Sequence, residues 1–269
     1  MAAREIDIEK VIRTRAGAKA KFIPSFVYRW LERIIHQDFI NGYIRQNRVG
    51  VDFCQGALEY LNIKLNIEGL DDVPLSPDKP LIFVCNHPLG GIDGLALGAV
   101  IGKASGGRVK YIVNDLLMNL EGLAPLCIPI NKFGRQARNL PTQVDSAFSG
   151  TDNVLLFPAG LCSRLIDGKV HDIPWRKFFV NKSRQSRRDV VPVHFLAQNS
   201  KRFYRVALWC KRLGIKVNLA QVLLPDEMYR QQGNTYTIRF GKPIPYSTFD
   251  SSKTPTQWAQ WVQDKVYEL

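Results

Sequence analysis

The spacing of apolar residues divides the chain of 269 residues into a helical beginning and a longer part with a different pattern. In "SFVYRWLERIIHQDFINGYI", Phe26, Trp30 and Ile34 recur at helical spacing with charged residues between them. We therefore predict an N-terminal amphipathic helical extension over residues 1–50. Its apolar face would either contact a membrane surface or pack on the rest of the protein, and the sequence leaves both alternatives open.

Beyond this extension, short apolar runs alternate with helical segments. A helix predicted over 50–62 is followed by the strand "IKLNIEGL" and by the proline-rich linker "DDVPLSPDKP". Further strands are "LIFVCN", "VKYIVN", "LCIPIN", "NVLLFPA" and "DVVPVHFL". The helices that separate them are predicted at 94–104, 115–122 and 135–149. This alternation predicts an α/β domain over 51–269, in which a mixed, largely parallel sheet is flanked by helices.

The carboxyl-terminal part continues the pattern. "YRVALWCKRLG" is predicted to be a cation-rich helix, and "NTYTIRFGKPIPY" a strand that ends in a turn. The last helix begins at "TPTQ", where Thr254 can cap the helix, Pro255 occupies its first position and Gln257 completes a capping box.

The charge of the chain indicates an anionic partner. Lysine and arginine number 37 against 24 aspartates and glutamates, which gives a formal net charge of +13. Nucleic acid, an anionic membrane surface, and an acidic protein or substrate would all suit this charge, and charge alone does not choose among them.

Neither a signal peptide nor a transmembrane helix is predicted. The N-terminus mixes acidic and basic residues without an apolar core, and no run of about 18 apolar residues occurs. If the protein works on a membrane, we therefore expect it to lie on the surface. The five cysteines are scattered, mostly within apolar runs, a pattern typical of buried free thiols in a reducing compartment.

The strongest candidate for chemistry is the turn "NHPLGGIDG". His87 follows an apolar strand, and Asp93 lies beyond Gly90 and Gly91, which allow the turn to fold back. An aspartate that accepts a hydrogen bond from one imidazole nitrogen leaves the other nitrogen free to act as a base. In the alternative interpretation, Asp93 only caps the following helix. The spacing alone supports both.

Four segments, taken in order, resemble the glycerolipid acyltransferase superfamily, the lysophosphatidic-acid-acyltransferase-like enzymes. They are "NHPLGGIDG", "PINKFGR", "LLFPAGLCSR" and "VVPVHF", within residues 80–245. "HPLGGIDG" with "FPAG" is most similar to the hemolysin-like branch, which includes amino-acid-lipid O-acyltransferases. The four segments are called the first to fourth blocks below. Two departures stand out: five residues separate His87 from Asp93 where the family has four, and Ala159 replaces the usual glutamate of the third block, "LLFPAGLCSR".

The resemblance implies an O-acyltransferase that moves a fatty acyl chain from an acyl thioester to the hydroxyl of a lyso-lipid. The donor would be acyl carrier protein or coenzyme A, His87 the general base, and Asp93 the residue that orients it. A lyso amino-acid lipid is the expected acceptor, and lysophosphatidate is the alternative. The implied location is the cytoplasmic face of a membrane, as a peripheral protein.

The resemblance also implies which residues bind the substrate. The second block supplies Lys132 and Arg135, and the third block supplies Gly160, Ser163 and Arg164. Arginine forks suit a carboxylate as well as a phosphate, so these residues do not decide the acceptor. Arg138 lies one helical position off the face of Arg135 and is a weaker candidate. It would equally suit a solvated surface position with no role in binding.

Other functions have less support in the sequence. The stretch 175–188, "WRKFFVNKSRQSRR", interleaves aromatic residues and cations, which suits phospholipid head groups, an acidic acyl carrier protein, single-stranded nucleic acid or a solvated surface. A non-catalytic basic module that binds RNA or membrane is the alternative from another class, although we expect no nucleic acid. No metal or dinucleotide motif occurs, so no cofactor is predicted beyond the thioester co-substrate.

Overall fold

This computed structural model describes residues 5–114, 120–130, 140–214 and 219–269. Its strands are β1 (Lys64–Glu68), β2 (Ile82–Cys85), β3 (Val109–Asn114), β4 (Cys127–Ile130), β5 (Asn153–Leu156), β6 (Arg164–Ile166), β7 (Lys169–His171), β8 (Val190–Leu196) and β9 (Thr235–Phe240). Its helices are α1 (Ile8–Ala16), α2 (Ser25–Ile34), α3 (Gln37–Ile44), α4 (Val51–Tyr60), α5 (Ile92–Ala104), α6 (Leu140–Ser149), α7 (Phe178–Ser186), α8 (Lys201–Arg212), α9 (Leu219–Val222), α10 (Leu224–Arg230) and α11 (Pro255–Tyr267).

Seven strands form one sheet in the order β1-β9-β8-β2-β5-β3-β4. Neighbouring strands run parallel, with β8 and β9 antiparallel to each other. The strands β6 and β7 form a separate antiparallel hairpin. The predicted mixed, largely parallel sheet with flanking helices is confirmed.

Strand β2 lies at the centre of the sheet, between β5 and β8. Its four residues are all buried, which explains their unbroken apolar run. Because side chains alternate along a strand, Phe83 and Cys85 join the core on one face of the sheet, and Ile82 and Val84 join the core on the other. Helices α4 and α5 cover the first face, and α7 and α11 cover the second. The carboxyl end of β2 therefore opens in the middle of a rigid sheet.

The N-terminal segment is helical, and it is divided into the separate helices α1, α2 and α3. It breaks between α2 and α3, where His36 adopts a φ of 52°. The division into an extension and a domain at residue 50 stays a prediction. No helix among the described residues is long and apolar enough to cross a membrane.

Several predicted boundaries also need correction. The helix predicted over 94–104 begins at Ile92, so Asp93 lies in its first turn. Residues 121–123 form a turn, not the end of the helix predicted over 115–122, and the start of that prediction lies outside the described residues. The hairpin of β6 and β7 and the short helix α10 were not predicted. The capping box of α11 is confirmed, since Thr254 and Gln257 cap each other.

Candidate active site

The candidate site begins two residues beyond the central strand β2, at His87. The preceding residue, Asn86, fixes the start of this loop against β8. Its side-chain amide donates to the carbonyl of Phe195 at 3.0 Å, and its oxygen accepts from the amide of Phe195 at 2.7 Å. Because Asn86 is buried, these two hydrogen bonds tie the loop to the rigid centre of the sheet.

His87 and Asp93 are hydrogen-bonded across the turn. The distance between His87 Nδ1 and Asp93 Oδ2 is 3.0 Å. A carboxylate only accepts, so Nδ1 donates, and the lone pair of the neutral ring lies on Nε2. Nε2 has no hydrogen-bond partner within the described ranges, and 17% of the His87 side chain is exposed. The pair therefore offers a basic nitrogen that an incoming substrate could reach.

Asp93 is held by backbone groups as well as by His87. Its Oδ2 accepts from the amides of Leu89 at 3.0 Å and Gly90 at 3.1 Å, and its Oδ1 accepts from the amide of Gly94 at 2.9 Å. The carboxylate is completely buried. Asp93 thus organises the turn and the start of α5 while it contacts His87, so the two interpretations of this residue are compatible.

One of the two glycines in the turn is structurally required. Gly90 has a φ of +79°, in the left-handed region, whereas Gly91 does not have a positive φ. A β-carbon on Gly90 would lie 2.4 Å from Cys162 Sγ, whereas the nearest side-chain atom to one on Gly91 would be Met228 Sδ at 3.9 Å. Gly90 therefore accommodates the additional residue between His87 and Asp93.

The electrostatics of the pair favour a charged Asp93 and a more basic His87. Burial disfavours the imidazolium, but the charge of Asp93 and its hydrogen bond outweigh this cost, so the pKa of His87 is raised above its ordinary value. Burial likewise opposes the carboxylate, but His87 and the backbone amides lower the pKa of Asp93. The imidazole is therefore a stronger base than a free histidine.

The third block supplies the wall against which the imidazole packs. The ring of Phe157 stacks on His87 with centroids 4.1 Å apart and an interplanar angle of 27°. Ala159, at the position where the family usually has glutamate, is completely buried in the apolar core that includes Trp175. A carboxylate there would be buried among apolar side chains, where burial of its charge would be unfavourable.

Ser163, which was predicted to bind substrate, contacts the His87 loop in the structure. Its side chain is buried, and its Oγ donates to Asp172 Oδ1 at 2.6 Å. Its backbone amide donates to the carbonyl of His87 at 2.8 Å. Through these contacts Ser163 helps to position the His87 loop, and its role in substrate binding stays a prediction.

Asp172 is the centre of this positioning network, and no pattern in the sequence indicated its role. Its Oδ1 also accepts from the amide of His87 at 3.3 Å, and its Oδ2 accepts from Trp175 Nε1 at 2.9 Å. Burial raises the pKa of Asp172 above its ordinary value despite these hydrogen bonds. The backbone of His87 is thus clamped on both sides, by Asp172 at its amide and by Ser163 at its carbonyl.

Arg164, also predicted to bind the substrate, is the first residue of β6. Its Nη1 donates to the carbonyls of Cys162 at 2.8 Å and Ser163 at 3.4 Å, and its guanidinium lies over the ring of Phe203, 5.6 Å from the centroid. These contacts engage one terminal nitrogen, so other N–H groups can still donate. Its positive charge acts to lower the pKa of His87, and its role in substrate binding stays a prediction.

Gly160 shapes the third-block turn in front of Arg176. Its φ of +69° requires glycine, and a β-carbon there would lie 3.6 Å from the Arg176 guanidinium. The remaining predicted substrate ligands, Lys132 and Arg135, lie outside the described residues, as does Arg138. Their roles stay predictions.

Cys162 lies beside this turn, and its surroundings argue against a covalent role. Burial raises the pKa of its thiol to about 12, so the thiolate that a nucleophile needs is strongly disfavoured. Across the described ranges, no three histidine, cysteine, aspartate or glutamate side chains gather as a set of metal ligands. The prediction that the reaction needs no metal or cofactor has not been tested and stays a prediction.

Two named relatives match almost the whole chain. The lyso-glycine lipid O-acyltransferase of Phocaeicola vulgatus is 52% identical over 266 residues, which cover 98% of this chain and 95% of that protein. The lyso-glycine lipid O-acyltransferase of Bacteroides thetaiotaomicron is 51% identical over 266 residues, covering 98% of this chain and 97% of that protein.

The fold also matches a solved structure. The crystal structure of the 1-acyl-sn-glycerophosphate acyltransferase PlsC from Thermotoga maritima aligns with a TM-score of 0.51 and 16% identity, over 97% of this chain and 92% of that chain. This likeness concerns the fold alone. A family model described as "Acyltransferase" matches residues 10–269. With both the family model and two relatives matching almost its entire length, the chain belongs to this acyltransferase family.

Proposed function

We propose that this protein acylates the hydroxyl of a lyso-glycine lipid, with the thioester of acyl carrier protein or coenzyme A as the acyl donor. The observation that carries the mechanism is the His87–Asp93 pair, whose Nε2 faces away from Asp93 without a protein partner among the described residues. The names of two relatives that are 51% and 52% identical support the acceptor.

The chemical step needs one group that first accepts and then donates a proton. The acceptor hydroxyl attacks the thioester carbonyl carbon while His87 Nε2 takes the hydroxyl proton. The tetrahedral intermediate then collapses, the carbon–sulfur bond breaks, and the imidazolium returns its proton to the thiolate that leaves. The products are the acylated lipid and a free thiol, and His87 is neutral again. Asp93 stabilises the transient imidazolium and keeps Nε2 directed outward.

Arg164 would bind the anionic group of the acceptor. A glycine head group ends in a carboxylate, which a guanidinium can bind through two parallel hydrogen bonds. Lys132 and Arg135 of the second block are proposed to assist. Arg164 would suit the phosphate of lysophosphatidate equally well, so the acceptor must be determined by experiment.

We place the enzyme as a peripheral protein at the cytoplasmic face of the membrane, where its lipid acceptor would lie. Exposed aromatic side chains in the N-terminal segment support this placement: Phe22 is 76% exposed, Phe26 66% and Trp30 58%. Arg29 and Arg33 lie beside them in the sequence of α2. Aromatic groups flanked by cations are typical of surfaces that contact phospholipids.

An acceptor panel tests this proposal. The purified protein is incubated with palmitoyl-acyl carrier protein or palmitoyl-coenzyme A and with lyso-glycine lipid, lyso-ornithine lipid or lysophosphatidate. Thiol release and the mass of the lipid product are measured. We expect the highest kcat/KM with lyso-glycine lipid and a product heavier by one acyl chain. A preference for lysophosphatidate, or no transfer to any acceptor, would overturn the proposal.

A further inference from the structure

Helix α8 has two faces of opposite character. Its inner face carries Phe203, Tyr204 and Cys210, which are all buried. Its outer face presents Leu208, 40% exposed, and Trp209, 65% exposed, and continues to Leu213, 66% exposed, just beyond the helix end. Large apolar side chains grouped in this way are rare on a surface that meets only water, so this face indicates a binding surface.

The same outer face is strongly cationic. Lys201, Arg205 and Arg212 are exposed on it, and no acidic residue occurs in the helix sequence "KRFYRVALWCKR". Arg205 and Arg212 lie next to Leu208 and Trp209 along a shared shallow groove. Within the described part of the chain, these two arginines form no ion pair. We define the α8 outer face as Lys201, Arg205, Leu208, Trp209, Arg212 and Leu213.

The opposite side of α8 lies against the candidate active site. Phe203 on the inner face lies beneath the Arg164 guanidinium, 5.6 Å away. Just before the helix, Asn199 Nδ2 donates to the carbonyl of Pro88, next to His87, at 2.9 Å. Whatever binds the α8 outer face is therefore held beside the loop that carries the proposed base.

We propose that the α8 outer face docks on an anionic lipid bilayer and thereby holds the active site at the level of the lipid head groups. This inference rests on the proposed function, since it assumes a lipid acceptor. Trp209, Leu208 and Leu213 insert among the acyl chains near the interface, and Arg205, Arg212 and Lys201 contact the head-group phosphates. A central tryptophan among aliphatic side chains favours a bilayer over an acidic carrier protein, for which cations alone would suffice.

Vesicle sedimentation tests the docking surface directly. The full chain is mixed with vesicles of phosphatidylglycerol and phosphatidylcholine, or of phosphatidylcholine alone. We expect Arg205→Gln with Arg212→Gln to weaken binding to the anionic vesicles about fivefold per cation. We expect Trp209→Ala with Leu213→Ala to weaken binding to both kinds of vesicle by about tenfold or more.

Matched controls separate the docking surface from general effects. Lys79→Gln with Lys103→Gln removes the same charge from exposed sites elsewhere, and Ile67→Ala removes an apolar side chain that is 45% exposed on β1. We expect these controls to bind vesicles within about twofold of the wild type. If the α8 variants bind as the controls do, the inference is wrong.

An activity arm distinguishes this inference from the proposed function. With a short-chain, monomeric lyso-glycine lipid, the α8 variants should acylate at the wild-type rate, whereas their rate on acceptor embedded in vesicles should fall with binding. If the wild type acylates neither acceptor, the proposed function fails, yet the sedimentation result still decides the docking surface. If the variants instead raise the KM for palmitoyl-acyl carrier protein without changing vesicle binding, α8 docks the carrier protein and the inference is overturned.

Discussion

Two histidine–aspartate pairs in the described part of the chain have nearly the same hydrogen-bond length and different surroundings. His87 Nδ1 and Asp93 Oδ2 lie 3.0 Å apart at the end of the central strand. His36 Nε2 and Asp226 Oδ1 lie 2.8 Å apart between the N-terminal helices and α10. Distance alone would therefore not distinguish a candidate base from a structural contact.

The other partners of each carboxylate make the difference. Asp226 also accepts from Arg230 Nε at 2.8 Å and from Arg202. Although burial opposes the charge, the hydrogen bonds from Arg230, His36 and Arg202 lower the pKa of Asp226 to about 2. Two arginines thus already balance the charge of this carboxylate. Its hydrogen bonds connect the start of α3 with α8 and α10.

Asp93, in contrast, accepts from no lysine or arginine within the described ranges, and its partners besides His87 are backbone amides. Its charge is therefore available to stabilise an imidazolium. His87 also lies at the carboxyl end of β2, where α/β sheets bind their ligands. Ring stacking does not distinguish the two histidines, because His87 stacks on Phe157 and His36 stacks on Tyr229 with centroids 3.8 Å apart. The comparison indicates that the environment of the carboxylate, and not the pair itself, defines the candidate base.

Removing the proposed base should have the largest effect on activity. We expect His87→Ala to lower kcat/KM for acyl transfer by about 10³-fold or more, because general-base catalysis contributes about 10²–10⁴-fold. Thiol release from palmitoyl-acyl carrier protein measures the rate, and the circular dichroism spectrum checks the fold. Turnover near the wild-type rate in a folded variant would remove His87 from the mechanism.

The next largest effect should come from the carboxylate. We expect Asp93→Asn to lower kcat by about 10²-fold, since the imidazolium loses its counter-charge while the side chain keeps its size. The KM for the acceptor should change much less, because Asp93 is buried and does not reach substrate. A variant with a raised KM and an unchanged kcat would show that Asp93 acts on substrate binding instead.

The turn between the two residues provides a matched pair of glycines. We expect Gly90→Ala to lower activity at least tenfold and to destabilise the protein by about 1–2 kcal/mol or more, because of its positive φ and the contact with Cys162. Gly91→Ala should retain activity within about threefold. Equal effects of the two substitutions, measured by turnover and thermal unfolding, would contradict the assigned role of Gly90.

The His36–Asp226 pair should affect stability more than turnover. We expect His36→Gln to leave kcat within about threefold of the wild type and to lower the free energy of unfolding by about 1 kcal/mol, through the lost hydrogen bond and ring stacking. Chemical denaturation and turnover of the same preparation measure both quantities. A loss of kcat comparable to that of His87→Ala would erase the distinction between the two pairs.

Much of the fold could be predicted from local patterns. The apolar run of β2 and the alternation of strands with helices predicted the layered sheet, because buried parallel strands require continuous apolar residues. The break at His36 and the hairpin of β6 and β7 could not be predicted, since neither has a strong periodic signal. The resemblance to the glycerolipid acyltransferase superfamily is confirmed, and the family membership gives no support to the alternative of a non-catalytic module.

The candidate site was predictable only where its residues are close in sequence. His87 and Asp93 lie on one turn, so the spacing and the glycines predicted their contact as one of two alternatives. Asp172 is 85 residues from His87, and Asp226 is 190 residues from His36. Only the fold brings such pairs together, which is why the contact of Asp172 with the His87 loop could not be predicted.

The dependence of kcat/KM on pH, measured in parallel for the wild type and Asp93→Asn, tests most directly that His87 is the base and Asp93 sets its basicity. His87 must be neutral to accept a proton, and its pKa is raised in the folded protein. We therefore predict that activity falls as the pH drops through a value above about 6.5, the ordinary histidine pKa. In Asp93→Asn this fall should move to lower pH, because the charge of Asp93 that raises the pKa of His87 is lost while burial still lowers it. An acidic limb that does not move when Asp93 is neutralised would contradict the account.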